Sequence, residues 1–248
     1  MKKTAIITGG TRGIGKAISL TLSKLNFNLI LNYLRDDQSA NETKELCLQY
    51  TENVILIKGN VAMDSSAIQM VEVALSQFGD INLLVNNASI NLDKSLLKLE
   101  EEDWDTVIDT NLKGTFMVSK RVAKVMIEKS GGQIINIGAT TGIKGRKDGI
   151  NYCASKAGVM IMTKCMAMEL GPLIRVNCIV PGFTMTEESI TRFDLNNKLE
   201  EELASRNIPL NRLADPDEIA AAVEFLISEK GKFINGQKII IDGGEFMY

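Results

Sequence analysis

The chain has 248 residues, 45% hydrophobic and 24% charged, with a formal net charge of −3. That balance belongs to a soluble globular protein and carries no basic footprint for nucleic acid. No apolar stretch approaches the roughly 20 residues that span a bilayer, and histidine is absent, so imidazole catalysis is excluded.

Along the chain, short β-rich runs alternate with longer helical patterns. The first run, within MKKTAIITGGTRGIG, is followed by glycines after about five apolar residues, too short for a signal peptide's core. Strands are predicted at 4–8, 28–33, 54–59, 81–86, 133–138, 175–180 and 238–242. Several are nearly continuous apolar runs, as parallel strands covered on both faces require. Helical patterns lie near 14–25, 37–50, 64–78, 100–128, 151–170 and 216–228. This alternation predicts one α/β domain over residues 1–248, a doubly wound (Rossmann) fold with a central parallel sheet of about seven strands. A long charged insert at about 183–212 breaks the rhythm. It follows a strand end, where such folds hold ligands, and is placed to act as a lid. Cys47, Cys153, Cys165 and Cys178 show no CxxC spacing and have no histidine partners. They read as buried reduced thiols of a cytoplasmic protein, with no metal site.

TGGTRGIG (8–15) joins the first strand to the first helix. Gly9, Gly13 and Gly15 suit a tight turn, a close approach by pyrophosphate and close helix–strand packing. The helix N-terminus then offers unpaired N–H groups to an anion. The second strand ends in LNYLRDD, with Tyr33 where an acid would favour NAD and Arg35 just beyond. Arg12 and Arg35 are two guanidinium groups suited to the 2′-phosphate of NADPH, which is favoured over NADH. The competing reading is that both are solvated surface arginines, with Arg35 neutralised by Asp36 or Asp37.

In NYCASK, Tyr152 and Lys156 stand four residues apart and share one face of a helix. A phenol beside an ammonium is a proton-transfer pair, and the ammonium, helped by an oxidised nicotinamide, is expected to lower the phenol pKa from about 10.

With these motifs in order, the chain resembles the short-chain dehydrogenase/reductases. TGGTRGIG corresponds to their TGxxxGxG, NNAS (86–89) to NNAG, Tyr152 to Lys156 to YxxxK, and PGFTMT (181–186) to the stretch after the sixth strand. PLNRLADPDEIA and INGQKIIIDGG are similar to the β-ketoacyl-acyl-carrier-protein reductase branch. The resemblance implies that Tyr152 exchanges a proton with the substrate and that Lys156 also binds the nicotinamide ribose. It implies that Asn111 shapes the helix near the site and holds a relay water. It places Gly9, Thr11, Arg12, Gly13, Ile14 and Gly15 at the phosphates, and Asn60 and Val61 at the adenine. Asn87, Ala88 and Ser89 fall along the cofactor ribose, and Pro181, Gly182, Thr184 and Thr186 beside the nicotinamide and pyrophosphate.

The match breaks at one position: the usual catalytic serine falls on Ala139. If strand geometry persists that far, Thr141 faces the same side and Thr140 the other, which makes Thr141 the better substitute donor.

The implied reaction is NADPH-dependent reduction of a β-ketoacyl thioester carried on acyl carrier protein. Two alternatives stand beside it: an oxidoreductase for a free small ketone or alcohol, and a cofactor-binding protein without turnover. Lys124, Lys129, Lys144, Arg146 and Lys147 form the candidate docking patch for an acidic carrier. Phe183, Met185, Ile190, Phe193 and Leu195 are placed either to cover an acyl chain or to pack the insert itself. A homotetramer is implied by the resemblance. The apolar excess in GVMIMTKCMAMEL (158–170) fits a helix buried on two sides, which a monomer's core would also produce.

Overall fold

A computed structural model describes residues 2–247, apart from the side chains of Ala204 and Ser205. The chain runs β1 (Thr4–Thr8), α1 (Gly13–Lys24), β2 (Asn28–Tyr33), α2 (Asp37–Leu48), β3 (Val54–Lys58), α3 (Asp64–Phe78) and β4 (Leu83–Asn86). It continues with α4 (Glu101–Ile108), α5 (Gly114–Glu128), β5 (Gly132–Ile137), α6 (Thr141–Lys144), α7 (Ile150–Leu170) and β6 (Ile174–Pro181). The last elements are α8 (Glu187–Arg192), α9 (Leu195–Arg206), α10 (Pro216–Ile227) and β7 (Lys238–Ile241). The seven strands are all parallel, in the order β3-β2-β1-β4-β5-β6-β7.

The two-residue period of a strand sorts side chains between the faces of this sheet. From β1, Ala5 and Ile7 meet Ile18 and Leu22 of α1 and Ile219 and Val223 of α10. Ile6 points the other way, into a cluster with Met70 of α3, Val122 and Met126 of α5 and Ala167 of α7. Each fully buried Ile, Leu or Met contributes about 1.5–3 kcal/mol, so both faces hold the sheet flat against its helices. Helix ends are marked locally. Asp215 and Glu218 form a capping box at α10, with Pro216 in the first turn, and Gly79 (φ 78°) ends α3.

Two departures from the sequence expectation matter for function. The predicted helix 100–128 is broken by a π-helical turn at Asp109–Lys113, where one extra residue per turn bulges the backbone at Asn111. Strand geometry also stops at Ile137, and Thr141 opens the short helix α6, so the alternation argument for Thr140 and Thr141 does not apply.

The insert at 183–212 carries α8 and α9 and has its own core. Leu195, Ile208 and Leu213 are buried there with Phe183, Ile190 and Phe193 packed against them. Phe183 and Phe193 meet edge to face at 4.9 Å, and the Arg206 guanidinium lies 3.8 Å above the Phe183 ring. Of the apolar side chains placed to cover an acyl chain, Phe183, Ile190 and Leu195 pack the insert itself, Phe193 packs there and also lines the cleft, and Met185 is exposed. Of the four cysteines, Cys47 and Cys178 are buried, whereas Cys165 is exposed.

Candidate active site

Chain order reverses between β1 and β4, so the crevice beyond their carboxyl ends is the topological switch point. The glycine turn and NNAS both open there. Thr8 Oγ1 accepts from the Asn87 and Ala88 N–H groups at 3.0 and 3.1 Å. Asn87 Nδ2 donates to the carbonyls of Thr8 and Gly9 at 3.1 and 2.9 Å. Gly9 (φ 59°) is needed for this approach, since a Cβ there would lie 3.0 Å from Ala88 Cα. A Cβ at Gly15 would lie 2.0 Å from the Gly9 carbonyl oxygen, so only glycine lets α1 start so close to the turn.

The N-terminus of α1 is left open to anions. Its N-cap, Arg12, makes no side-chain cap, whereas Asp36 caps α2, Thr186 caps α8 and Asp215 caps α10. The anion that it receives is a carboxylate: Gly13 N–H donates to Glu187 Oε2 at 3.2 Å. This contact was not legible in the sequence, because it joins residues 174 apart. Thr186 sits above the same turn, with its Cγ2 3.2 Å from where a Gly13 Cβ would be. The cradle therefore fits a dinucleotide pyrophosphate: glycine backbone, open N–H groups and a carboxylate already in the anion's place.

Other predicted contacts fall nearby. Val61 is buried against Gly114, and Asn60 Oδ1 accepts from Ala62 N–H at 3.0 Å, leaving its amide exposed. The Thr140 N–H donates to Pro181 O, and Gly182 abuts Asp242 with no room for a Cβ. Thr184 is buried, and its hydroxyl donates to the Gly182 carbonyl at 3.2 Å. Thr11 is buried and its carbonyl accepts from Thr43 Oγ1, while Ile14 packs against the core cluster of α1 and α10. Ser89 is exposed.

At the second strand, neither acid neutralises Arg35. The Asp36 carboxylate accepts from Ser39 N–H and Oγ–H, and Asp37 is held by Lys58 and Tyr33. Among the described residues Arg12 and Arg35 make no salt bridge and both are exposed, although the Arg12 charge adds to the Ser39 hydrogen bonds in holding the Asp36 carboxyl below its usual range.

Tyr152 and Lys156 share one face of α7, the lysine Nζ 5.7 Å from the tyrosine ring centroid. Lys156 is only 3% exposed, and its ammonium donates to Ile137 O at 2.9 Å, at the end of β5. Burial pushes that ammonium down to about 8. Burial also raises the Tyr152 phenol well above its ordinary value, against the pull of the Arg146 guanidinium. The net shift in this structure is upward because desolvation of the phenolate outweighs the positive charge of Arg146.

Asn111 clamps the loop after β4 to this helix. Its Oδ1 accepts from Ile90 N–H at 2.8 Å, and its Nδ2 donates to Ile90 O and Ser155 Oγ, both at 3.0 Å. The π turn directs the side chain between the two elements. Ala139 lies just past β5, and the hydroxyl of Thr141 is buried without a hydrogen-bond partner. Thr141 lines an open cleft of about 1410 Å³ whose walls include Arg146, Lys147 and Phe193.

The lysine's burial predicts a stability effect. Its departure from an ordinary 10.5 corresponds to about 3 kcal/mol at 1.36 kcal/mol per pH unit, and losing the charge-assisted Ile137 hydrogen bond returns about 1.5–3 kcal/mol. Lys156→Met is expected to be about 1 kcal/mol more stable to urea at neutral pH. The folded pKa is depressed for a base, so the native state's cost is full below pH 8 and fades as pH rises toward 10.5. The variant's advantage must shrink over that window; a less stable variant, or a constant difference, contradicts the burial cost.

A glycine cradle at the switch point, with a tyrosine and a lysine one turn apart on α7, defines an oxidoreductase that works with a nicotinamide cofactor. The family model described as Enoyl-(Acyl carrier protein) reductase matches residues 9–245, and the chain belongs to the short-chain dehydrogenase/reductase family, enzymes acting on CH–OH and C=O groups. It is 38% identical to the 3-oxoacyl-[acyl-carrier-protein] reductase FabG of Staphylococcus epidermidis, covering all of both chains. Identity is also 38% to that of Staphylococcus aureus, over 100% of this chain and 99% of the other. The Synechocystis reductase is 36% identical over 99% and 98%. A short-chain dehydrogenase/reductase from Brucella melitensis, titled glucose/ribitol dehydrogenase, superposes over the whole of both chains with a TM-score of 0.92 at 29% identity. No helix among the described residues is long and apolar enough to cross a membrane.

Proposed function

We propose that this protein reduces the ketone of a β-ketoacyl thioester, carried on acyl carrier protein, using NADPH and a proton from Tyr152. The observation that carries the reading is the costly burial of Lys156 beside Tyr152 at the end of β5. A fold optimised for stability alone would put an apolar side chain there. The full-length relatives named as 3-oxoacyl-[acyl-carrier-protein] reductases supply the substrate class.

Gly9, Thr11, Gly13, Ile14 and Gly15 would hold the pyrophosphate with Thr184 and Thr186, and Glu187 must leave the Gly13 N–H to admit it. Asn60 and Val61 would border the adenine; Asn87, Ala88, Ser89, Pro181 and Gly182 the ribose and nicotinamide. When bound, the reduced nicotinamide supplies hydride. Tyr152 protonates the carbonyl oxygen, and its raised pKa keeps the phenol loaded at neutral pH. Lys156 binds the nicotinamide ribose, and Asn111 holds the loop and a relay water. Thr141 Oγ1, buried and unpartnered, donates to the substrate oxygen in place of the missing serine. The insert at 183–212 closes over the cleft.

Arg12 and Arg35, exposed and free of salt bridges, support NADPH. Charge-assisted hydrogen bonds are worth about 1.5–3 kcal/mol, so Arg35→Ala is expected to raise the KM for NADPH about tenfold or more and leave that for NADH unchanged. Equal effects on both cofactors would remove Arg35 from phosphate recognition. The docking patch is narrower than the sequence suggested: Lys144 pairs with Glu245 and Arg146 with Asp93, leaving Lys124, Lys129 and Lys147 exposed. The homotetramer is supported by exposed apolar side chains, Phe116 and Ile127 on α5 and Ile161 and Met168 on α7.

The deciding assay follows NADPH consumption with an acetoacetyl thioester on acyl carrier protein or pantetheine. Turnover on the thioester is the expected result. Activity confined to unattached ketones, or cofactor binding with no turnover on any carbonyl, overturns the reading.

A further inference from the structure

We propose that Arg146 is a positioning residue for Tyr152, a clamped second cation packed against its ring that favours the phenolate over the phenol. The inference rests on Tyr152 being the proton donor proposed above. The Arg146 guanidinium carbon lies 5.2 Å from the Tyr152 ring centroid, closer than the Lys156 Nζ at 5.7 Å. It is pinned from the far side, where one terminal nitrogen donates to Asn91 Oδ1 at 2.7 Å and to Asp93 Oδ1 at 2.5 Å. Asn151, at the start of α7, holds the same segment by donating to Leu92 O at 3.0 Å. Gly149 leaves the room, since a Cβ there would sit 2.6 Å from Arg146 Nε.

Two features separate this clamp from a surface ion pair. Arg146 Nε is buried with no hydrogen-bond partner, a cost that a merely structural arginine would avoid by turning outward. A guanidinium against an aromatic face also favours the anionic ring over the neutral one. The charged and titratable groups facing Tyr152 are Arg146 from the loop before α7, Lys156 and Cys153 on α7, and Glu188 from α8. Of these, Arg146 lowers the phenol pKa, while Glu188 and Cys153 raise it. Asp93, which holds Arg146, also pairs with Arg192 of α8, so two arginines share its charge.

The test labels the full-length protein with a trifluorinated tyrosine, whose phenol ionises near neutrality, and follows each fluorine resonance against pH. Tyr152→Phe assigns the signal. In Arg146→Gln the Tyr152 ionisation is expected to rise by about one pH unit or more, and in Arg146→Lys by less than half as much. An unmoved titration in Arg146→Gln overturns the proposal, as does an equal rise in Arg146→Lys, which would mean lost packing rather than lost charge. The readout needs no substrate. A shifted titration in a protein that reduces nothing keeps this inference and removes the reductase reading; turnover with an unmoved titration does the reverse.

Discussion

Tyr152→Phe is expected to lower the rate of thioester reduction by about 10²–10⁴-fold, the usual worth of a positioned general acid. Cofactor affinity should stay within about twofold, because one hydroxyl is removed and the ring stays. The reason lies in the balance at α7. Burial raises the phenol pKa, so at neutral pH the group is fully protonated and ready to give its proton to a forming alkoxide. A donor with so high a pKa places no downward limb on the reduction rate until well above pH 10. In the parent, rates with NADPH should therefore be flat through neutrality as far as Tyr152 is concerned. Steady-state rates for parent and variant, with NADPH binding followed by fluorescence, check the claim. Matching rates would take Tyr152 out of the reaction.

The second large effect is expected at Thr141. Its hydroxyl is the buried, unpartnered donor beside the cleft, and Gly142 next to it packs on the backbone of Lys156 and Ala157. Removing one preorganised donor to a developing oxyanion typically costs about 2.7–4 kcal/mol, or about 10²–10³ in rate. Thr141→Val should show that loss while gaining roughly 1 kcal/mol of stability, since an orphaned hydroxyl is costly to bury. Ala139→Ser should then restore most of the rate in the Thr141→Val background and add less than about tenfold to the parent. The opposite pattern, with Thr141→Val at parental rate and Ala139→Ser raising the parent about 10²-fold, would mean that the site lacks a donor altogether. An inactive parent that Ala139→Ser leaves inactive would favour a role in cofactor binding alone.

Much of the fold is legible in the sequence. The strands were visible because parallel strands buried on both faces need unbroken apolar runs, as TAIIT and NLILNY show. Tyr152 and Lys156 could be put on one helical face because the α-helical period is a local property. Periodicity informs only within its own element: the alternation of β5 does not reach Thr141, because the backbone turns into α6 after Ile137. A neighbouring charge in the sequence does not fix the direction of the phenol pKa, which depends on how much of the chain excludes water around it.

By itself, then, the sequence determined the strand–helix order, the parallel sheet and the glycine turn, because propensity and periodicity act over a few residues. Tertiary structure alone decided that Glu187 reaches Gly13, that Asn111 ties Ile90 to Ser155, and that Asp93 holds Arg146 over Tyr152. It also decided that Asp36 and Asp37 turn away from Arg35. These facts depend on which distant side chains share a desolvated space, and burial and charge pairing are set only when the layers close on one another.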